Sequence, residues 1–559
     1  MTETAVTAPP RTASGERLFT LANRVLLAAA FLLLTFYLVV YVAYAANLIA
    51  FPYDYDQGEG FELVDVLMFS EGRWPYADIE QYPFYGSIYP PLYHVLLVPF
   101  AWIFGPAYWY GRLFSFLSTL VTAAAIGFAV YREARKPDGD NRLTLIIAAL
   151  SGLAFLSSNI VYHIGPLFRQ HIPMFMFETL AVVVLAHANE IPDQTRRRRQ
   201  LLLGMVLLLA AGYTKQLAAF TAIAALAFLF IRNPRRGIVW GIGFALVGAA
   251  IFAGITVSTS GHWWTQTIVA NVKDFYPDQA VGLFRLFVRL HGFLLIPAAL
   301  MVVYELYFAR LSIYSLWFVS VTALNAFSAG TWGAGDSYYA TSIAAMAVLS
   351  GIFTARTLNG GWQFNRNVLT RLLIDPFRRF APLLSLLMLI VLPLLYLGYG
   401  RAVLHMPTEG PVFSQIADVL NIQPNALNGF YDSAGRVTGA YADIGHFTTQ
   451  ADVDGGDQIV ALMNAIDPDV PVLSEEAGFS LAAGRDVITN PVVLMILSWE
   501  NAFDSRALVS MIDNQEFGLI VLRAQFYPAE VLQAISEHYA PETEIPMNGF
   551  NYIIMRPRP

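Results

Sequence analysis

The chain has 559 residues, 56% of them hydrophobic and 13% charged, a balance that soluble domains rarely show and polytopic membrane proteins usually do. It contains no cysteine, which excludes a disulfide framework, a thiolate metal site and a thiol nucleophile. The formal charge of −7 is uneven: from residue 400 onward there are 20 Asp/Glu against 7 Arg and no Lys, so a basic membrane part (+6) precedes an acidic tail (−13), and with no basic, aromatic-interleaved surface nucleic acid is excluded as a partner.

In chain order, residues 1–20 are polar and rich in Thr, Ala and Pro, with no signal-peptide cleavage pattern, and are expected to form a disordered cytoplasmic head before a retained first span. Val25 to Ala50 is long enough to cross a hydrocarbon core of about 30 Å on a tilt. It delivers the stretch FPYDYDQGEG (Phe51–Gly60), which packs Asp54, Asp56 and Glu59 beside a membrane surface, where acidic groups are costly unless they have a job. Further apolar runs open near Arg112, Leu143, Ile172, Leu201, Leu217, Gly237, Leu290, Ser312, Tyr338 and Ala381, which gives about eleven spans over residues 21–399.

The run Tyr89 to Phe104 (YPPLYHVLLVPFAWIF) is ambiguous, and the rule that Arg/Lys-rich short loops stay cytoplasmic decides it. If it does not span, the loops holding Arg132 to Arg142, Arg196 to Arg199, Arg232 to Arg236 and Arg366 to Arg379 all share the cytoplasmic side with the N-terminus. It is therefore read as an interfacial helix, which its three prolines and shortness also favour. The outer face then receives residues 51–110, which form the first outer loop with its juxtamembrane helices, the short connections 159–171, 213–216, 258–285 and 331–338, and everything beyond Gly400.

The tail, 400–559, reads as a soluble extracytoplasmic α/β domain. VPVLSEE (470–476) and FGLIVLRAQ (517–525) have the look of buried strands, and Ser505–Asn514 and Ala529–Tyr539 carry helical spacing. The Gly/Asp stretch DVDGGD (452–457) is read as a loop. The fold class expected is mainly α, a polytopic bundle with this α/β domain appended.

Two or three carboxylates on a short outer loop suit a general base, a divalent-metal ligand set, or both, with Asp54, Asp56 and Glu59 as the ligands if a metal is present. A calcium loop of the EF-hand kind fails because its sixth position needs Gly and holds Glu59. Arg112, Arg169, His171 and Lys215 fall at outer span ends. Singly each fits a boundary residue; together they make a cationic rim facing the acid loop, which suits a phosphate-bearing lipid. His94 is read as a packing or headgroup contact, and His163 and His262 lack zinc-ligand spacing.

The order of the acid loop, G-x-x-x-Y (Gly72–Tyr76), Y-P-P-L-Y (Tyr89–Tyr93), F-G-P (Phe104–Pro106) and G-R-L-x-S (Gly111–Ser115) resembles the GT-C glycosyltransferases, specifically bacterial proteins related to protein O-mannosyltransferases and aminoarabinose transferases of lipid A. The resemblance implies a sugar donor on a polyprenyl phosphate, used at the outer face. It also implies a lipid, glycan or protein acceptor, a base drawn from Asp56 and Glu59 with Asp54 beside them, and phosphate contacts from Arg112 and Lys215. The chain departs from these relatives at Arg169-Gln170-His171, where an Asp often follows the arginine, and at Ser337–Thr341. The reaction expected is an inverting displacement by an acceptor hydroxyl or amine, with Arg112, Lys215 and Arg169 supporting the phosphate leaving group or a divalent metal holding it. The competing reading is a transporter or flippase of lipid-linked substrates.

Overall fold

The computed structural model describes residues 13–137, 139–365, 367–435 and 444–559; positions 1–12 of the polar head and Arg366 of the basic loops lie outside the described residues. Each of the eleven apolar runs falls in a helix. Among the described residues, seven helices are long and apolar enough to cross a membrane, from Arg17–Ala50 through Trp109–Ala134, His171–Glu190, Pro234–Ser258, Pro277–Tyr307 and Asp336–Leu358 to Thr370–Ala402. The remaining runs are shorter or more polar. Arg142–Leu156 breaks at Ser157 and resumes as Asn159–Ile164, Gln216–Arg232 and Ile313–Ser328 have 17 and 16 residues, and Gln194–Thr214 opens on four arginines. At 1.5 Å per residue, 16 residues reach about 24 Å, so these helices depend on the bundle around them to bridge the core.

The outside of the bundle is apolar where a water-soluble protein would be polar. On the helix Pro234–Ser258, Val239, Leu246 and Val257 are 69%, 65% and 80% exposed, and hydrocarbon is the solvent that tolerates such a face. The run read as interfacial forms the 13-residue helix Leu92–Phe104, which packs beside Glu59–Ser70. The basic loops collect at one end of the bundle: Arg236 donates to Asn189 (2.5 Å), Arg232 to the Leu311 carbonyl (2.5 Å) and Arg356 to the Glu133 carbonyl (3.3 Å). The acid loop lies at the opposite end.

Among the described residues, six strands follow the last span: β1 (His405–Pro407), β2 (Phe430–Asp432), β3 (Val472–Ser474), β4 (Leu519–Leu522), β5 (Tyr539–Met547) and β6 (Phe550–Pro557). β1 and β2 pair antiparallel, and the other four form a sheet in the order β3-β4-β6-β5, parallel only between β3 and β4. The two expected strands and the helices Arg506–Asp513 and Ala529–His538 stand where the pattern placed them. The stretch DVDGGD does not form a loop; it lies inside the helix Gln450–Asn464. Thr449 and Asp452 close a capping box at its start. The glycines pack instead of turning: a Cβ on Gly456 would collide with the Tyr53 ring, and one on Gly455 would stand 2.7 Å from the Pro546 carbonyl.

This tail is docked on the bundle. Asn47 and Thr448 exchange hydrogen bonds (3.0 and 2.8 Å), Tyr53 donates to Asp457 (2.5 Å), and Asn490 donates to the Gly86 carbonyl (3.0 Å). One hydrophobic core runs through both parts, from Leu34 and Phe155 in the bundle to Ile459 and Val472 in the tail.

Candidate active site

The acid loop leaves the first helix at Ala50 and re-enters helix at Glu59. Three carboxylates share it, and each has a different environment. Glu59 is fully buried and its lone pairs are consumed: Oε1 accepts from Arg112 Nε (3.0 Å) and the Phe168 amide (2.6 Å), and Oε2 from Arg112 Nη2 (2.7 Å) and the Tyr55 amide (3.0 Å). Asp54 is buried and accepts from the Gly60 amide (2.5 Å), Tyr108 Oη (2.9 Å) and the Gly478 amide (2.9 Å). Burial and the neighbouring Glu476 carboxylate push Asp54 upward, against the pull of these hydrogen bonds. A Cβ at Gly478 would strike the Asp54 carboxylate, so glycine is what lets the tail approach this closely.

Asp56 differs. Its side chain is 14% exposed, and both bonds from Arg169, Nε at 2.7 Å and Nη2 at 2.6 Å, fall on Oδ2 alone. Of the three acids it is the one with accessible surface and a carboxylate oxygen outside the arginine's grip.

The expected cations separate in the same way. Arg112 is fully buried and spends its N–H groups on Glu59 and on the carbonyls of Leu48 (2.6 Å), Phe51 (2.5 Å) and Tyr53 (2.7 Å). Its five donors meet five acceptors, so in this structure no N–H of Arg112 is free for the phosphate contact expected of it. It is the clamp that ties the acid loop to the start of Trp109–Ala134. Arg169, on the turn before His171–Leu185, reaches Asp56 and stands 3.5 Å from Glu62. Lys215, in the turn after Gln194–Thr214, contacts the His171 ring and lies over Tyr89 at 4.9 Å. Burial first, then the Arg169 charge, holds Lys215 well below the usual lysine range. Arg169, His171 and Lys215 thus line one side of Asp56.

The carboxylates read as a metal set are committed to amides, Tyr108 and arginines, and do not converge on one point. Among the described residues, potential ligand atoms come together instead at Glu62, Asp65 and His94, within 4.8 Å of one another and all buried. Much of this group is bonded internally: His94 Nε2 bonds Glu62 at 2.6 Å, and Asp65 accepts from Tyr85 (2.8 Å) and Ser87 (2.5 Å), while His94 Nδ1 is buried without a hydrogen-bond partner. Burial lowers His94, but Asp65 and Glu62 outweigh it and hold the ring above its ordinary range. Burial raises Asp65 to about 6 while His94 pulls it down. His94 is therefore a partner of acids and not a packing or headgroup contact. The spacing of Glu62 and Asp65, one helical turn, was the sequence signal that the pair shares a face.

Over residues 89–263 the sequence matches the family model for dolichyl-phosphate-mannose-protein mannosyltransferases. ArnT from Cupriavidus metallidurans in the apo state has a TM-score of 0.55 at 14% identity, over 94% of this chain and 97% of that one. ArnT bound to undecaprenyl phosphate gives 0.52 at 14% identity, with the same coverage. The chain has the polytopic membrane fold of ArnT. No curated protein matches it in sequence. Arg112, Arg169, His171 and Lys215 lie within the matched residues and the acid loop just upstream of them, and the matches give the transporter reading no support. The tail adds residues that the sequence alone did not single out: Glu476 and Arg523 form a buried ion pair, and Tyr552 donates to Glu476 (2.9 Å), behind Asp54.

Proposed function

We propose that the protein transfers one sugar, with inversion, from a polyprenyl-phosphate donor to a hydroxyl or amine of a lipid, glycan or protein acceptor at the outer face of the cytoplasmic membrane, N-terminus inside and tail outside. The observation that carries this reading is the placing of Asp56, the one partly exposed carboxylate of the loop, against Arg169 with Lys215 and His171 behind it. Asp56 takes the acceptor's proton as the new bond forms at the anomeric carbon, and the phosphate leaves as an anion that Arg169 and Lys215 receive. Asp54 and Glu59 hold the loop.

The test uses purified protein, a panel of labelled polyprenyl-phosphate sugars and candidate acceptors. Asp56→Asn is expected to lower transfer by about 100–10,000-fold, the usual worth of a positioned base, while undecaprenyl phosphate still binds. Transfer by that variant at the native rate removes Asp56 from the chemistry.

A further inference from the structure

Three arginines surround the acid loop, and each can present the same planar edge, Nε and Nη2, which matches two oxygens of a carboxylate or phosphate. Arg112 gives that edge to Glu59 and Arg169 gives it to Asp56. Arg523, from the loop after β4, does not give it to any described residue: Nη1 bonds Glu476, while Nε and Nη2 are buried without a hydrogen-bond partner. The side chain is 2% exposed. An arginine buried to that degree with two unspent donors is costly, and the cost is met when an anion arrives.

The surroundings fix where this edge stands. The Glu475 carboxylate accepts four successive amides, Arg523 (2.6 Å), Ala524 (3.1 Å), Gln525 (3.0 Å) and Phe526 (2.8 Å), which locks the loop. The guanidinium lies 3.9 Å over the Phe550 ring, at the start of β6. Two residues earlier, Asn548 donates to the Tyr55 carbonyl (2.8 Å), the peptide directly before Asp56. Glu476 joins the same patch to Asp54 through the Gly478 amide. Burial lowers the guanidinium, and Glu476, Tyr552 and also Asp56 more than restore it, which puts the Asp56 charge within electrostatic reach.

We infer that Arg523 is an anion-binding residue of the active site, contributed by the tail, which takes two oxygens of a phosphate or carboxylate on its Nε–Nη2 edge. Arg169 comes to Asp56 from the bundle and Arg523 from the tail, so each part of the chain brings a guanidinium toward the base. The anion is either the phosphate of the lipid donor or an oxyanion carried by the acceptor. The proposal rests on Asp56 being the reacting centre.

The test measures binding to the full-length protein in detergent with two probes: undecaprenyl phosphate, and inorganic phosphate added to protein already saturated with that lipid. Arg523→Gln is expected to weaken one of them by about 10–100-fold, the worth of a pair of charge-assisted hydrogen bonds. Loss confined to the lipid assigns Arg523 to the donor phosphate; loss confined to inorganic phosphate assigns it to an acceptor anion. Arg523→Lys keeps the charge beside Glu476 without the fork and should fall between. If Arg523→Gln lowers the melting temperature, the Glu476→Gln/Arg523→Gln pair removes both buried charges and is read by the same criterion. Both affinities within twofold of native in a folded variant overturn the proposal. Failure of native protein to bind the lipid at all counts against the donor reading, and inorganic phosphate then reads Arg523 by itself.

Discussion

Glu59→Gln separates a carboxylate that builds the site from one that works in it. The carboxylate accepts four hydrogen bonds of 2.6–3.0 Å, two from Arg112 and two from backbone amides, in a place with no solvent access. An amide keeps one accepting oxygen and turns its NH2 toward donors, leaving a buried guanidinium without its counter-charge. Breaking such a pair costs about 3–5 kcal/mol. Over 559 residues, at about 2.1 cal/mol/K of unfolding entropy per residue, that lowers Tm by about 3–4 °C. Thermal unfolding of the purified variant, with undecaprenyl phosphate binding measured alongside, is the assay. Native Tm and native lipid binding together with a transfer rate below 1% of native, on the order of the effect of removing a base, would refute the structural assignment and make Glu59 a chemical participant.

Two further outcomes follow from protonation. Lys215 is held low by burial and by Arg169, so a phosphate arriving beside it should raise it: lipid-phosphate binding near neutral pH is expected to take up a proton, to tighten as pH falls, and to lose that uptake in Lys215→Gln, as read by calorimetry in buffers of different ionisation enthalpy. His94, held above its ordinary range by Asp65 and Glu62, contributes stability that is complete below the ordinary histidine pKa and is lost as pH rises through its folded value. The rise of Asp65 to about 6 acts with the same sign, since its folded ionisation costs stability as pH climbs. The fall in Tm as pH rises above the ordinary histidine pKa should therefore be shallower in His94→Gln, and an unchanged slope would exclude the triad as its source.

The bundle was largely legible because apolar runs of span length have few alternative structures, and Tyr89–Phe104, which the charge pattern of the loops sets apart, holds a 13-residue helix shorter than those of span length. The strands at 472–474 and 519–522 were legible for the same reason, as short apolar runs between turn signals. What the sequence could not show was saturation. Arg112 and Arg169 look alike in a chain, and only the fold reveals that one has its donors filled by Glu59 and three carbonyls while the other grips a single oxygen of Asp56. DVDGGD has the composition of a loop, but Gly455 and Gly456 are there for close packing against Pro546 and Tyr53, contacts with residues far away in sequence. Arg523 was hidden inside a strand-like run, and its relation to Asp56 exists only because the tail docks on the loop.

Arg169 is the residue on which the proposed binding and the proposed chemistry meet. It holds Asp56 by Oδ2 at 2.6–2.7 Å and lies 3.5 Å from Glu62, and its side chain is 15% exposed, so an entering phosphate can compete for it. In the proposed reaction such competition would link the two events: as oxygens of the lipid phosphate take the guanidinium, Asp56 loses the cation at Oδ2 and becomes a stronger base toward the acceptor's proton at its other oxygen. Arg169→Gln should then damage both quantities, weakening undecaprenyl phosphate by about 10–100-fold through lost charge-assisted bonds and lowering kcat through a base that is no longer aimed. Arg169→Lys, which keeps a charge but cannot fork onto a carboxylate, should recover much of the lipid affinity and little of kcat. Lipid affinity within twofold of native in Arg169→Gln, with kcat reduced, would mean that Arg169 only positions Asp56 and that the phosphate is held elsewhere, with Lys215 and Arg523 the cations left to hold it.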